Sequence, residues 1–209
     1  DAIVSYTGGA PFKIESVDMT DATFTTSSRK CSAFFITQLH TTSDPRMAQW
    51  VRTIGSEDIH GVVSGVIQPD GTGASVMNVS VLKQYTTPVW LMTSSEVCFI
   101  LSEAAHTGMI TGGEALAEQY YEKAITNSIR QWSPTISDAN IDRFLHATGS
   151  KVAYNGTQEQ IILQKWVSLF LQGFESWCDY RRTGYPNVPI GPGCDNEGVM
   201  PTRLCYPQT

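Results

Sequence analysis

The sequence has no CxxC pair, no HxxH or HExxH, no GxSxG, no strand–GxGxxG–helix, and no glycine loop that runs into Lys-Ser/Thr. Each absence removes a chemistry: zinc ribbons and dithiol redox motifs, hydrolytic zinc centres, the nucleophile elbow, and a phosphate cradle. Long apolar runs are also missing. The best, Val97 to Leu101, is broken by Ser102-Glu103, well short of the roughly 20 residues that span a bilayer. Positive charge is scarce, with 14 Lys and Arg against 20 Asp and Glu and a net charge of −6, which excludes the basic face a nucleic-acid partner requires. The opening DAIVSYTGGAPF has neither a basic n-region nor an apolar h-region, so it is no targeting segment. What remains is 209 residues, 41% hydrophobic and 16% charged, a composition that builds a core.

The isolated polar residues have ordinary readings. Cys98 and Cys178 lie inside helical patterns and are expected to be small buried hydrophobes. Cys194 and Cys205 sit in loop-like sequence, where a disulfide between them, or from either to Cys178, would suit an oxidising exterior. His106 precedes Gly108 at a helix end, where a dipole or carbonyl contact is the usual role. The carboxylate pairs Glu57-Asp58 and Asp138 with Asp142 read as solvated faces. No metal site, catalytic set or cofactor is predicted.

Composition shifts near Thr87-Pro88. Residues 1–88 form a loop-rich segment with short strands and helices, and 89–209 a helical scaffold with a C-terminal loop, both expected to belong to one fold. In the first part, Cys31 to Leu39 reads as a short helix or strand. Ile59–Ile67 and Val76–Tyr85 read as paired strands around Pro69-Asp70-Gly71-Thr72-Gly73. Asp44-Pro45 reads as a helix start that runs to Gly55. In the second part, Thr93-Ser94-Ser95-Glu96 fits a capping box opening a nearly all-round apolar, buried helix that closes at Gly108. A second helix runs from Gly112-Gly113 to Ser133-Pro134, and Ala104, Ala105, Ala117 and Ala124 permit close antiparallel approach, as in a tetratricopeptide unit. Asp138 is the expected cap of a shorter helix ending at Gly149.

The last pattern is the richest. Thr157 and Gln160 make a capping box for a helix over 159–182, with Ile162, Trp166, Leu169, Phe170, Gly173, Phe174 and Trp177 on one stripe and Gln164, Lys165, Gln172 and Glu175 away from it. Arg181 and Arg182 occupy its last turn, then Gly184 and Tyr185-Pro186 end it. This closing run, Tyr180-Arg181-Arg182-Thr183-Gly184-Tyr185-Pro186 followed by Pro201-Thr202-Arg203-Leu204-Cys205-Tyr206-Pro207, resembles the C-terminal signature of the SusD/RagB family. SSEVCFILSEAAHTG at 94–108 and TSDPRMAQWV at 42–51 are similar to two further family segments.

The resemblance implies a mainly α, tetratricopeptide-like superhelical scaffold with irregular loops and a few short β-strands. Because family members are roughly twice as long and begin at a lipid-bearing cysteine, it also implies that this chain is the C-terminal half of a longer protein. The implied role is non-enzymatic capture of oligosaccharide or peptide nutrients at the outer-membrane surface, for delivery to a SusC-like TonB-dependent transporter. Membrane association would rest only on an N-terminal lipid anchor outside this sequence. A helical-repeat protein-interaction module is the alternative, and an enzyme the third reading. Trp50, Tyr85 and Trp90, outside the helical stripes, are the candidate ligand-stacking residues. Arg181 or Arg182 is expected to lock the fold by bonding a carboxylate such as Glu96, Glu103, Glu175 or Asp179.

Overall fold

Four helices begin the same way, with a hydroxyl at the N-cap accepting from the backbone N–H three residues on. Ser32 opens α1 (Ala33–Thr42), Thr93 opens α3 (Ser94–His106), Ser137 opens α5 (Asp138–His146) and Thr157 opens α6 (Gln158–Ser168). The structure, a computed structural model, describes residues 1–4, 30–53, 58–66, 74–78, 89–194 and 198–203. The remaining helices are α2 (Met47–Trp50), α4 (Gly113–Trp132) and α7 (Gly173–Thr183). Gly112, before α4, has φ 139°, and a Cβ there would lie 2.5 Å from the Leu116 side chain.

The longest contact is between α3 and α4. Ser95 Oγ donates to the Ala124 carbonyl at 2.8 Å and Ser102 Oγ to the Ala117 carbonyl at 2.7 Å, a register that only antiparallel helices give. Side-chain hydroxyls reach a neighbouring helix backbone because Ala117, Ala124 and Ala105 are fully buried and take little room. Around this hairpin, Phe99, Tyr121, Ile125, Ile129, Ile141, Leu145, Val152 and Ile161 form one core, and the Tyr121 hydroxyl donates to the Val152 carbonyl at 2.8 Å. His146 ties α5 to α4 by facing Asp142 Oδ1 at 2.9 Å and Glu122 Oε1 at 2.7 Å.

A second core joins the early residues to the ends of α4 and α6. It holds Ile36, Leu39, Trp50, Val51, Trp132 and Val167, with Phe35, Trp90, Trp166 and Phe170 against it. Beside it runs a buried ion pair: Arg46, with no exposed surface, donates Nε to Asp44 Oδ1 at 2.8 Å and Nη1 to Ser128 Oγ of α4 at 2.8 Å. Two short antiparallel ladders complete the fold among the described residues. β1 (Ala2–Val4) pairs with β4 (Val89–Met92), and β2 (Val51–Arg52) with β3 (Val76–Met77). Helices α3 to α7 pack as an open tetratricopeptide-like array with minor β content. None of the helices among the described residues is long and apolar enough to cross a membrane.

Several sequence expectations are corrected. The 159–182 helix is two helices: the backbone leaves the helical path after Ser168, and Leu171 takes φ 69°. That re-aims the second half, so Phe174 is 88% exposed, while the polar Gln164 and Lys165 are buried. The helix expected to open at Asp44-Pro45 begins at Met47, with Arg46 at its N-cap, and stops at Trp50 because Val51 pairs with Met77; Gly55 lies outside the described residues. Val76 thus pairs with β2, and Val62 meets Ser32 in an isolated parallel bridge; 67–73 and 79–88 lie outside the described residues. Ser137 caps α5, and Asp138 in its first turn pairs with Arg130. Helix α3 is not buried all round, since Val97 and Ile100 are exposed. In the Thr157 box, Gln160 Oε1 accepts from the Asn155 amide at 2.7 Å instead of the cap residue's own. Cys178 is an exposed free thiol, which removes the pairings drawn to it; Cys205 is outside the described residues.

Two predictions test this packing. Ala124→Leu, placed where α3 and α4 touch, is expected to cost about 1–3 kcal/mol by overpacking, read as a lowered denaturation midpoint. His146 is held above its ordinary pKa by its hydrogen bonds to Glu122 and Asp142. Its contribution is therefore full below the ordinary histidine value and is lost as pH rises through the raised one. Comparing the protein with His146→Gln, the stability gap at pH 6 should exceed that at pH 9, by at most about 0.5 kcal/mol at so exposed a site. A gap independent of pH would refute the assignment.

Candidate functional site

The break between α6 and α7 folds α7 back so that its acidic and basic residues meet α6 and α3. Lys165 Nζ lies 2.7 Å from Asp179 Oδ2, with both side chains nearly buried. Arg182 extends the chain of charges, giving Nη2 to Asp179 Oδ1 at 2.9 Å and a two-pronged contact to Glu103 at 2.5 and 2.8 Å. Gln158 Nε2 donates to the same Glu103 carboxylate at 2.8 Å. Burial alone would raise the Glu103 carboxyl, yet Arg182 and Gln158 hold it below its ordinary value. The Glu103 carboxylate in turn holds Arg182 charged. Gly184, at φ 79°, closes α7 with its N–H on the Tyr180 carbonyl.

Of the residues expected to form a lock, the structure thus brings Arg182 to Glu103. Arg181 points into solvent. Glu96 is buried at the start of α3, where desolvation raises its carboxyl while Lys165 opposes the shift; no bond joins it to either arginine. His106 meets the Glu114 carboxylate at 2.9 Å rather than a carbonyl.

Between α1, the α6–α7 break and α7 opens a groove of about 550 Å³. The size suits a small ligand or a few sugar rings. Its aromatic floor is continuous: Phe35 stacks on Phe170 at 5.5 Å and 7°, Trp166 meets Phe35 edge-on at 5.7 Å, and Phe170 covers Trp50 at 4.5 Å. One wall is α7, where Trp177 and Tyr180 lie near-parallel at 6.1 Å and remain half-exposed. Leu171 and Gly173 at the break form the lip, and Lys30, Ser32 and Ser176 contribute polar groups.

The residues picked as ligand stackers fall elsewhere. Trp50 has no exposed surface and lies beneath the floor. Trp90 is half-buried against Trp132 at 5.1 Å, and Tyr85 lies outside the described residues. Of the groove-lining residues, Trp177 and Lys30 are not singled out by the sequence, because the 3.6-residue period puts Trp177 on the core stripe of an unbroken helix; Tyr180, beside the two arginines, reads there as a ring able to stack a sugar. The signal available was the polar face: a lysine and two glutamines opposite an aromatic stripe, with an Asp and two Arg in the last turn.

A family model described as "Starch-binding associating with outer membrane" matches residues 1–207. The chain belongs to the SusD-like family. Among solved structures it is similar to a chitin-binding protein, at 30% identity and TM-score 0.71, covering 85% of this chain and 43% of that one. A SusD homologue from Bacteroides vulgatus matches at 25% identity and TM-score 0.66, over 81% of this chain and 40% of the other. One from Bacteroides ovatus matches at 25% and 0.63, over 81% and 43%. This SusD-like chain therefore spans less than half the length of the structures it matches. No curated protein sequence matches it significantly.

In this SusD-like chain the candidate site is an aromatic trough with the Lys165–Asp179–Arg182–Glu103 ion pairs beside it. No group of three or more His, Cys, Asp or Glu suited to a metal ion occurs among the described residues. Arg182→Ala is expected to lower stability by about 2 kcal/mol, since it strips charge-assisted hydrogen bonds from two largely shielded carboxylates, while Arg181→Ala stays within about 0.5 kcal/mol. The Arg182 gap should shrink as pH falls through the lowered Glu103 value, because protonated Glu103 no longer needs the guanidinium. Denaturant titrations at pH 7 and pH 3.5 measure both; equal losses at the two arginines would remove the relay from the account.

Proposed function

We propose that this chain is part of a non-enzymatic, cell-surface nutrient-binding protein and that the aromatic groove beside α7 holds the nutrient, an oligosaccharide. The observation that carries the reading is the pair Trp177–Tyr180, half-exposed and near-parallel above a stacked aromatic floor. Sugar rings present apolar C–H faces that lie flat on such rings, while hydroxyls turn to water and to polar side chains at the rim. The family description, which names starch binding, and the chitin-binding relative support a saccharide over a peptide. Both are statements about other proteins. Here the groove binds by preorganised shape, because the relay fixes α7 before any ligand arrives.

The remainder of the proposal follows the family. The whole protein, of which this chain is the C-terminal half, is tethered to the outer membrane by an N-terminal lipid and passes its ligand to a SusC-like TonB-dependent transporter. The helical array α3 to α7 supplies the frame.

Calorimetric titration with a panel of neutral and acidic oligosaccharides, including chito- and malto-oligomers, tests the site. Trp177→Ala is expected to weaken the best binder about tenfold, the value of one good aromatic face, while leaving the melting temperature unchanged. Unaltered affinity in that variant would displace the groove as the site, and release of shorter sugars from any panel member would make the protein an enzyme.

A further inference from the structure

The groove carries one charge. Among the described residues that line it, Lys30 alone is charged, and none of them is a carboxylate. The Lys30 Nζ is shielded from solvent and has no hydrogen-bond partner among the described residues. The two buried cations described above each have an anion: Arg46 has Asp44, and Lys165 has Asp179. An ammonium removed from water without a counter-charge is costly, and the apolar walls around it strengthen its attraction for any anion that enters. The neighbouring groups add no competing negative charge. Burial pushes the Cys31 thiol up to about 11, so it stays neutral. The Ser32 hydroxyl accepts from the Phe35 amide, which leaves its own hydrogen available to a ligand.

Resting on the saccharide reading above, we infer that the groove selects an acidic oligosaccharide, one sugar ring lying on Trp177–Tyr180 and a uronate carboxylate meeting Lys30. A neutral sugar hydroxyl accepts a hydrogen bond from the ammonium but leaves its charge uncancelled. A carboxylate does both. This chain carries −6 and repels anions at a distance, so the selection is local to the groove and belongs to the bound state rather than to the approach.

The test titrates the protein with trigalacturonate, its methyl ester and chitotriose, and repeats each titration with Lys30→Met, Lys30→Gln and Trp177→Ala. Trigalacturonate is expected to bind about tenfold or more tightly than its ester, with the difference erased in both lysine variants and reduced by added salt in the unaltered protein. The salt series needs no substitution and so reads the charge even where a variant folds poorly. If ester and chitotriose bind as well as the acid, lose affinity with Trp177→Ala and ignore Lys30, the charge selection is wrong while the saccharide groove survives. If no saccharide binds, both fall. A tripeptide whose binding depends on Lys30 and Trp177 would replace the uronate with a peptide carboxylate.

Discussion

The ionic relay Lys165–Asp179–Arg182–Glu103, its carboxylates largely shielded, is the constraint on which the aromatic groove depends. It joins α6, α7 and α3, three elements that hydrophobic packing alone would leave free to slide. An apolar contact tolerates rotation, whereas a two-pronged guanidinium–carboxylate contact fixes both distance and direction. Breaking the helix after Ser168 brings Asp179 back to Lys165 and places a leucine at φ 69°, a strained choice for a residue with a Cβ. The groove is the space left by that bend. Its lip is the bend itself, and its wall is the helix the relay holds down.

Packing separates frame from face. The α3–α4 hairpin is built for close approach, with alanines at the contact and serines bonding across to the opposite backbone. Among the fully buried residues of its core only Phe99 and Tyr121 are aromatic, with Tyr120, Phe144 and Tyr154 packed at the edge. Tryptophans and phenylalanines gather instead in the second core, where α1 and the end of α4 meet the α6–α7 bend. The aromatic trough is the solvent-facing edge of that second core. The groove floor and the internal packing thus share one stacked assembly, Trp50 to Phe170 to Phe35, with the fully buried Trp50 beneath.

Much of this was legible in the residues. Thr93 and Thr157 announced helix starts, Gly184 with Pro186 announced a stop, and the alanines at 117 and 124 announced a close helical pair. These are local rules, settled within a turn or two of chain. What escaped reading was long-range. Within 159–182 only Gly173 weakly marks the break, and the fold-back is held by Lys165 with Asp179 and by Arg182 with Glu103, the last far away in sequence. The same holds for Val51 and Val76: each looks like a strand, but which strands pair is decided by the second core. Trp50 and Trp177 are alike in sequence terms, both tryptophans near a helix end; only the bend determines that one is sealed and the other open. Lys30 offers no sequence signal, because its unpaired setting among the described residues arises only in the fold.

The Arg46 guanidinium reaches from the loop-rich early segment to Ser128 in the middle of α4, with Trp50 and Trp132 edge-to-face at 5.6 Å alongside. A spoke of this kind makes the two parts of the chain mutual ligands. A fragment begun at the helical array would leave Trp132 and the underside of Phe170 wet, and the early segment by itself would hold a cation and its carboxylate with nothing to cover them. Excised halves would therefore be sticky partners for one another, and a backbone nick between them would yield a species that stays assembled until denaturant parts it.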